Sequence, residues 1–468
     1  MSKQKEFGDF QTPSALATRV TSLVAQLFPD PDRIIEPTAG LGTFLKAAHH
    51  QWGEQKIYQG FELNPHYVSQ ARVHLPSPIE VHESDFFSRD WTLELQQNSP
   101  LCPLVLGNPP WVTNSNLGAL GSANLPQKTN AMGLPGLEAI TGKSNFDIAE
   151  WMILRLIEAL PSNGALAMLC KTMTARKVLK QLWEQGQGRE ESALFLIDAR
   201  VEFDVSVDAC LFYLTGRPTG DLTATTYSNL SLQSQQTVFG YRAGQLVSNL
   251  STYETYQHLA NSSKDYTWRS GIKHDAAKVM ELTLTPDGYL NGLGETVSLE
   301  EDYLYPLLKS SDLGNGRSQA RKVIIVPQSQ PNEDPSFLAE RAPKTWNYLL
   351  KHKAKLDSRG SSIYQKRPRF SIFGIGKYSF APWKVAISGL YKNHTFVLIP
   401  PANGRPVMLD DTCYAIACQT KDEAESLLEH LNSSPVQSLL SALTFPDSKR
   451  PITSSILQKL TLLQKPFE

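Results

Sequence analysis

The sequence predicts an α/β fold, in which a Rossmann-like, doubly wound sheet is followed by a second domain of mixed α+β structure. Short apolar runs alternate with helical patterns, which is the order of parallel strands joined by crossover helices. These runs lie at 33–36, 57–62, 79–82 and 103–107. Turns rich in glycine, proline and small residues follow the first and the fourth run directly. Because open α/β sheets bind ligands at the carboxyl ends of their strands, we expect the functional residues in these turns.

Three further strands are expected after the fourth. An amphipathic pattern at 147–160 carries its apolar residues at helical spacing. It leads to strands predicted at 164–170, 194–198 and 210–214, and a helical pattern at 13–27 precedes the first strand. All of these elements fit one doubly wound sheet.

The chain is expected to form two domains. Its 468 residues exceed the length of one typical domain, and its hydrophobic content of 41% is enough for two cores. The glycine- and proline-rich stretch 216–220 is the predicted linker, so the domains are 1–220 and 221–468. In the second domain, strand-like and turn-rich stretches precede a helical pattern at 422–431.

Cysteine usage and hydropathy indicate a cytoplasmic protein. The five cysteines form no C-x-x-C pair and no disulfide framework. No apolar run has the length of a membrane-spanning helix, and the polar N-terminus is not a signal peptide. We therefore expect a reducing cytoplasm and no membrane partner.

The turn after the first strand is a candidate nucleotide-binding turn. A strand, a turn of small residues and a helix N-terminus follow one another at 33–48, an arrangement that holds nucleotide-like ligands. The pattern is not G-x-G-x-x-G, so it does not predict a dinucleotide. The candidate binding residues of this turn are Glu36, Thr38, Ala39, Gly40 and Gly42.

Acidic residues end the second and third strands. Glu62 lies 22 residues after Gly40, the distance at which a carboxylate accepts the hydroxyls of a ribose, and Leu63 follows it. Asp85 is a candidate acceptor for an adenine amino group, with Phe86 beside it. Each has a structural alternative: Glu62 as a surface charge, Asp85 as a helix N-cap and Phe86 as a core residue. The order and spacing of the three favour the binding interpretation.

The turn after the fourth strand, residues 108–111, has the strongest chemical pattern in the chain. Two prolines remove backbone donors and fix φ, so the strand ends in a rigid turn. This turn presents the Asn108 amide, the Pro109 carbonyl and, after Pro110, the Trp111 ring. Two acceptors beside an aromatic ring suit a planar substrate with an exocyclic NH2 group. The alternative is a strand-ending turn with an ordinary tryptophan.

Taken together, these motifs resemble those of the S-adenosylmethionine-dependent N6-adenine DNA methyltransferases. The matching segments are 36–42, 61–65, 84–87 and 107–111, preceded by 7–13. Their order looks like that of the gamma class, which includes many type II modification methylases. The resemblance implies that 1–220 is the catalytic methyltransferase domain and that 221–468 is the target-recognition domain. Trp111 departs from the family pattern, in which tyrosine or phenylalanine is commoner.

The resemblance also implies roles for further residues. Thr12 and Pro13 belong to the segment that packs over the methionine end of the cofactor, and Phe146 matches a position near the cofactor. Phe203 stands where the family has an aromatic residue that contacts an extruded base. The irregular stretch 112–145 is expected to close over that base. S-adenosylmethionine is the implied cofactor, and no metal is required.

The implied reaction is direct methyl transfer to an adenine amino nitrogen. This nitrogen is a poor nucleophile because its lone pair is delocalised into the ring. Asn108 Oδ1 and the Pro109 carbonyl are expected to accept both amino hydrogens and to stabilise the developing charge. Inside a duplex the amino group cannot reach this turn, so the base is expected to flip out.

A basic, aromatic segment of the second domain predicts double-stranded DNA as the partner. Residues 341–394 hold 12 lysines and arginines against one acid, Asp357, and aromatic residues lie between them. The alternative is a solvated basic face over an ordinary aromatic core. The candidate phosphate or guanine contacts are Lys273, Arg367, Arg369, Lys377 and Lys384.

Three other functions remain open at this point. N4-cytosine methylation uses the same chemistry, although enzymes of that kind usually have serine where Asn108 stands. Glutamine methyltransferases of release factors share Asn-Pro-Pro and an aromatic residue but lack a large basic domain. A non-catalytic DNA-specificity subunit is disfavoured by the intact motif residues. A cognate restriction endonuclease or the subunits of a defence system are the further partners that the resemblance implies.

Overall fold

The chain folds into two compact units, Met1–Ser248 and Asn249–Glu468. The structure is a computed structural model that describes residues 11–96, 101–112, 147–261 and 265–462. Within these ranges, no helix combines the length and the apolar character that crossing a membrane requires.

The first unit is built from strands and helices that alternate along the chain. Its strands are β1 (Arg33–Glu36), β2 (Ile57–Glu62), β3 (Glu80–Glu83), β4 (Pro103–Gly107), β5 (Ala165–Lys171), β6 (Gly188–Arg189), β7 (Ser192–Asp198), β8 (Asp208–Thr215), β9 (Pro218–Thr219), β10 (Thr223–Tyr227), β11 (Gln236–Arg242) and β12 (Gln245–Val247). Its helices are α1 (Ser14–Leu27), α2 (Thr43–Trp52), α3 (Pro65–His74), α4 (Trp91–Gln96), α5 (Ile148–Ala159), α6 (Thr172–Glu184) and α7 (Ala199–Phe203), with a 3-10 turn at Phe86–Ser88.

Ten of these strands form one sheet in the order β12-β11-β10-β7-β8-β5-β4-β1-β2-β3. β1 pairs in parallel with β2 on one side and with β4 on the other, whereas β8 runs antiparallel between β5 and β7. The chain therefore leaves β1 and β4 at the same edge, at the point where the strand order reverses. This arrangement confirms the predicted Rossmann-like fold.

The centre of the sheet is covered on both faces. β1, β4 and most of β5 are buried along their length, as the near-continuous apolar runs of these strands predict. α1 contributes Leu16 and Val20 to the same core that α2 joins through Phe44. The rigid core fixes where each strand ends.

The sheet of the first unit extends beyond the predicted linker at 216–220. β9 lies within that stretch and pairs with β6, and β10 then pairs in parallel with β7. Gly216 serves close packing, because a Cβ on this residue would lie 1.9 Å from the Pro161 carbonyl oxygen. The first unit ends at Ser248 rather than at residue 220, since three more strands belong to its sheet.

The second unit has mixed α+β structure. Its strands are β13 (Arg269–Ser270), β14 (Glu281–Thr285), β15 (Gly288–Asn291), β16 (Thr296–Val297), β17 (Leu304–Leu308), β18 (Lys322–Ile325), β19 (Trp383–Ser388), β20 (Val397–Ile399), β21 (Met408–Leu409) and β22 (Cys413–Cys418). They form a four-stranded sheet, β13-β22-β19-β20, and a six-stranded sheet, β16-β15-β14-β18-β17-β21.

The helices of the second unit are mostly short. They are α8 (Leu250–Tyr256), α9 (Ala277–Met280), α10 (Ser310–Gly314), α11 (Leu338–Arg341), α12 (Pro343–Lys351), α13 (Lys353–Asp357), α14 (Lys421–Leu431), α15 (Ser434–Leu443) and α16 (Ser454–Leu457). Short 3-10 turns cover Gln257–Leu259, Glu301–Tyr303, Pro335–Phe337, Ser362–Lys366 and Lys377–Phe380.

The sequence analysis predicts strand-like and turn-rich structure before residue 422. The structure instead has two helices there, α12 and α13. Thr345, Tyr348 and Leu349 are buried at helical spacing on α12. Tyr348 and Leu349 join the core of the six-stranded sheet, together with Leu356 of α13. The many aromatic and basic side chains of this segment obscure that short helical period in the sequence.

A buried carboxylate with three basic neighbours stabilises the six-stranded sheet. Glu281, the first residue of β14, lies 2.6 Å from Lys309 Nζ, 2.9 Å from Lys322 Nζ and 3.4 Å from His274 Nε2. Burial alone would raise the pKa of Glu281, but hydrogen bonds to these groups outweigh it and hold the pKa well below its usual range. Because the pKa is lowered in the folded state, this stabilisation is present above about pH 4 and is lost as the pH falls.

We expect Glu281→Gln to lower the free energy of unfolding by about 3 kcal/mol at pH 7, because the basic neighbours lose their shared carboxylate. Chemical denaturation followed by circular dichroism measures this change, and the difference from wild type should shrink below about pH 4. Glu425→Gln, which removes an exposed pair with Lys421, is the control and should change stability by less than about 0.5 kcal/mol. Equal effects of the two substitutions would contradict the assignment.

Candidate active site

The turn between β1 and α2, residues 37–43, is called the glycine turn here. Gly40 has φ +53° and Gly42 has φ +76°, values in the left-handed region that favours glycine. A Cβ on Gly40 would lie 2.6 Å from Gln11 Oε1, and the same oxygen accepts a hydrogen bond from Leu41 N at 3.2 Å. The glycine turn thus brings backbone N–H groups to the N-terminus of α2, and the Gln11 carboxamide packs closely against it.

Glu62 connects the end of β2 to the glycine turn. Its Oε2 accepts a hydrogen bond from Gly40 N at 2.8 Å, and its Oε1 accepts one from Asn64 N at 2.8 Å. These two bonds orient the Glu62 carboxylate beside the glycine turn. Leu63 follows with 42% of its surface exposed, which places an apolar side chain beside the carboxylate.

Glu36 lies beneath the glycine turn rather than on its surface. The residue is buried, and its Oε2 accepts a hydrogen bond from Leu45 N at 3.3 Å in the first turn of α2. Burial raises the pKa of Glu36 well above its usual value, and the nearby Glu62 carboxylate raises it further. This geometry gives Glu36 an indirect role, which is to fix α2 against the end of β1.

The 108–111 turn is bonded to the glycine turn at its upstream end. The Asn108 carbonyl oxygen accepts a hydrogen bond from Thr38 Oγ1 at 3.3 Å. Asn108 Nδ2 donates to Thr12 Oγ1 at 3.3 Å, so the carboxamide has a defined orientation with Oδ1 on its other edge. Pro13, which follows Thr12, lies directly before α1. Its carbonyl oxygen accepts a hydrogen bond from Ala17 N at 3.0 Å.

Trp111 and Phe203 form an aromatic pair near this turn. Trp111 is 6% exposed, and its Nε1 donates to the Leu169 carbonyl oxygen at 3.3 Å. Phe203, the last residue of α7, contacts it edge to face, with ring centroids 5.2 Å apart and an interplanar angle of 69°. The structure therefore brings together the two rings that the sequence analysis placed against one base.

Asp85 and Phe86 have the structural roles, helix cap and core residue, that the sequence analysis gave as alternatives to ligand binding. Asp85 Oδ1 accepts a hydrogen bond from Phe87 N at 2.9 Å and caps the 3-10 turn that follows. Phe86 is 5% exposed and packs on Trp91, with ring centroids 4.8 Å apart. Phe86 is thus a core residue, whereas the exposed Asp85 has a second carboxylate oxygen for a ligand.

Some predicted residues lie outside the described ranges. They are Phe146, residues 7–10 of the segment before Thr12, and residues 113–145 of the irregular stretch. Among the described residues, no group of three or more histidine, cysteine, aspartate or glutamate side chains is positioned to hold a metal ion.

The predicted DNA contacts in the second unit differ in their surroundings. Arg367 and Lys377 are exposed, and the Arg367 guanidinium lies 5.5 Å from the centroid of the Phe373 ring. Arg369 is exposed but bonds to Asp357 through two nitrogens. Lys273 is half-buried and lies 2.8 Å from an Asp275 carboxylate oxygen and 3.8 Å from one of Asp411.

Lys384 is not the surface contact that the sequence predicts. It is 4% exposed on β19, and its Nζ donates to the Ala381 carbonyl oxygen at 2.7 Å. Burial lowers its pKa to about 8, because the charged ammonium loses hydration. The prediction was wrong because the sequence shows a lysine in a basic segment but not the sheet that covers its side chain.

Arg269 is a candidate DNA contact that the sequence analysis missed. It is exposed on β13 among the residues that line a small surface hollow, and its guanidinium lies 5.4 Å from the centroid of the Tyr378 ring. No ion pair joins it to a carboxylate within the described part of the chain. The signal in the sequence was weak, because Arg269 lies far from the basic segment and reaches it only through the fold.

Known proteins resemble this chain in sequence and in fold over nearly its whole length. No protein-family model matches the chain. The type II methyltransferase M.NspV of Nostoc sp. (strain ATCC 29411 / PCC 7524) is 43% identical over 469 residues, covering 98% of this chain and 96% of that protein. A solved structure of the type IIL restriction-modification enzyme MmeI in complex with DNA matches 96% of this chain with a TM-score of 0.55 and 13% identity. This chain spans 64% of the MmeI chain, and the likeness is one of fold.

The lowered pKa of Lys384 predicts a change of stability with pH. Between about pH 8 and 10 the unfolded chain keeps the proton that the folded protein has released, so stability rises with pH in this window. We expect the difference in unfolding free energy between wild type and Lys384→Met to change by about 2 kcal/mol from pH 7 to pH 10. Denaturant titrations at these pH values measure it. A constant difference would show that the ammonium is well hydrated.

Proposed function

The chain belongs to the type II methyltransferase family, and we propose that it is a site-specific DNA methyltransferase that transfers a methyl group from S-adenosylmethionine to N6 of adenine. The observation that carries this proposal is the junction of the two turns, where Thr38 Oγ1 bonds to the Asn108 carbonyl oxygen at 3.3 Å. The glycine turn, which is the proposed cofactor site, therefore lies directly beside a carboxamide and two prolines. The family relationship supports methyl transfer as the reaction.

The residues around the glycine turn fit S-adenosylmethionine as the cofactor. The glycines at 40 and 42 adopt left-handed φ values that let the backbone turn tightly before α2, as a nucleotide-like ligand requires. Glu62 would accept the ribose hydroxyls, Leu63 would contact the adenine ring, and Asp85 would accept the adenine amino group. Thr12 and Pro13 would contact the methionine end. When bound, the cofactor supplies an electrophilic methyl group, which is the chemistry this reaction needs.

Residues 108–111, the catalytic turn, would activate the amino group of the target base. Asn108 Oδ1 and the Pro109 carbonyl oxygen accept its two hydrogens and direct the nitrogen lone pair out of the ring plane. These bonds strengthen as positive charge develops on the nitrogen, which is the condition for lowering the barrier. The methylated amine then loses its proton to water, so no strong base is needed. Asparagine at position 108 favours adenine over cytosine, whose N4 methyltransferases usually have serine there.

The aromatic pair supports a mechanism with base flipping. A base within a duplex cannot reach the end of β4, so it would leave the stack at a cost of a few kcal/mol. Contact with the rings of Trp111 and Phe203 would offset part of this cost. Because β5 holds the Trp111 ring, the Phe203 ring, whose centroid is 5.2 Å away, would have to move to admit the base.

Double-stranded DNA is the proposed partner of the second unit. Arg269, Arg367 and Lys377 are exposed cations on this unit, and two of them lie over aromatic rings. Cations of this kind bind phosphates and release counterions. Lys273 and Arg369 remain candidates, although each must exchange or share its carboxylate partner to bind DNA. A separate restriction endonuclease is the further partner that we propose, and the proposed location is the cytoplasm.

We expect Asn108→Ala to lower the rate of methyl transfer by about 1,000-fold or more, because the amino group loses an acceptor in the transition state. Binding of S-adenosylmethionine, measured by calorimetry, should stay close to wild type. Incubation with labelled cofactor and DNA, followed by nucleoside analysis, measures the product. Asn229→Ala, at an exposed position, is the matched control. Loss of cofactor binding together with activity would show that Asn108 only supports the fold, and N4-methylcytosine as product would refute the adenine assignment.

Arg269→Met should weaken binding to specific and unrelated duplexes alike, because a phosphate contact carries no sequence information. The slope of log affinity against log salt should decrease by about 1. Fluorescence anisotropy at several salt concentrations measures both quantities. Lys421→Met, which removes an exposed lysine from α14, should leave the slope unchanged. An unchanged slope for Arg269→Met would place this residue outside the DNA interface.

A further inference from the structure

We propose that Lys171 is a positioning residue for the catalytic turn, whose ammonium group holds the downstream end of the turn in the geometry that methyl transfer requires. This inference rests on the function proposed for residues 108–111. Lys171 is the last residue of β5, which pairs in parallel with β4. It belongs to none of the motifs in the sequence, and only the sheet brings it to the site.

Lys171 contacts the catalytic turn directly. Its Nζ donates a hydrogen bond to the Trp111 carbonyl oxygen at 2.9 Å. Two residues earlier on the same strand, the Leu169 carbonyl oxygen accepts a bond from Trp111 Nε1 at 3.3 Å. The end of β5 therefore fixes both the main chain and the ring of Trp111.

A buried carboxylate fixes the position of Lys171 in turn. Asp147 Oδ2 accepts a hydrogen bond from Lys171 Nζ at 2.7 Å, and the Asp147 side chain is buried. The other oxygen of Asp147 accepts Ala149 N at 3.2 Å and caps α5. Ile148 N also donates to the Val112 carbonyl oxygen at 2.9 Å, so α5 is bonded to the chain just after the turn. The ammonium thus lies between two anchored acceptors.

The catalytic turn is anchored by hydrogen bonds at both ends, and Pro109 between them is buried. Asn108 is bonded to Thr38 and Thr12 at the upstream end. Pro109 and Pro110 have no N–H group and donate no hydrogen bonds. Because neither proline can donate, the hydrogen bonds at Asn108 and Trp111 and the packing of the buried Pro109 together set the direction of the Pro109 carbonyl. Loss of the Lys171 anchor would let this acceptor shift, and a displacement of about 1 Å costs about 100-fold in rate.

A second lysine–carboxylate bridge provides a matched control. Lys177 on α6 lies 3.4 Å from a carboxylate oxygen of Glu150 on α5, so it joins the same part of the unit. Its Nζ donates a hydrogen bond to Glu150 Oε2, and no such bond joins it to the catalytic turn within the described residues. Removing Lys177 tests what a bridge of this kind contributes to stability alone.

Lys171→Met removes the ammonium and keeps the length of the side chain. On a DNA site mapped by modification-sensitive sequencing, we expect the single-turnover rate of methyl transfer to fall about 100-fold. The dissociation constants for S-adenosylmethionine and DNA should stay within about threefold of wild type, because positioning acts on the transition state. Lys171→Arg should recover part of the rate, since a guanidinium also donates to both acceptors. Lys177→Met should keep the wild-type rate.

Hydrogen exchange separates this inference from the proposed function. The amide of Ile148, which donates to the Val112 carbonyl oxygen, should exchange faster in Lys171→Met than in wild type or in Lys177→Met, whatever the substrate is. If the wild type methylates no DNA, the proposed function fails and the exchange experiment alone decides the role of Lys171. Wild-type rate and wild-type exchange in Lys171→Met would overturn the inference. Equal losses of rate in Lys171→Met and Lys177→Met would also overturn it.

Discussion

The parallel pairing of β1 with β4 is the constraint on which the site depends. Adjacent parallel strands end at the same edge of the sheet, so the glycine turn and the 108–111 turn become neighbours although they are far apart in sequence. One hydrogen bond then joins the turns, from Thr38 Oγ1 to the Asn108 carbonyl oxygen, and a second one joins Asn108 Nδ2 to Thr12 ahead of α1. β5 lies on the other side of β4 and adds Lys171. Each contact at the site follows from this order of strands.

Sequence alone could predict the local part of this arrangement and not its long-range part. The bounds of β1, β2 and β4 coincide with the predicted strands, because apolar runs and turn residues are local signals. The burial of Lys384 could not be predicted from local signals, because it depends on strands that pair across the second unit. Lys171 and Arg269 were missed for the same reason. Their neighbours are brought together by the sheets and not by sequence spacing.

The second unit shows why a count of charges overstates a basic surface. Residues 341–394 contain a single acid, yet Arg369 bonds to that acid and Lys384 is buried. Lys273, outside this segment, bonds to Asp275. What remains available is a smaller set of exposed cations, including Arg367 and Lys377, which the fold supplements with Arg269. The electrostatic surface is therefore decided by tertiary partners, which composition does not reveal.

The carboxylate of Glu62 sets the charge beside the backbone N–H of Gly40 in the glycine turn. In many open α/β sheets the N-terminus of the helix after the first strand attracts a phosphate group. Here a negatively charged side chain already accepts Gly40 N, so a phosphorylated ligand would meet like charge at this position. A ligand whose charge at this end is positive meets no such repulsion. Repulsion of an anionic group at this end of the glycine turn would come from charge alone, without a bulky side chain to block it.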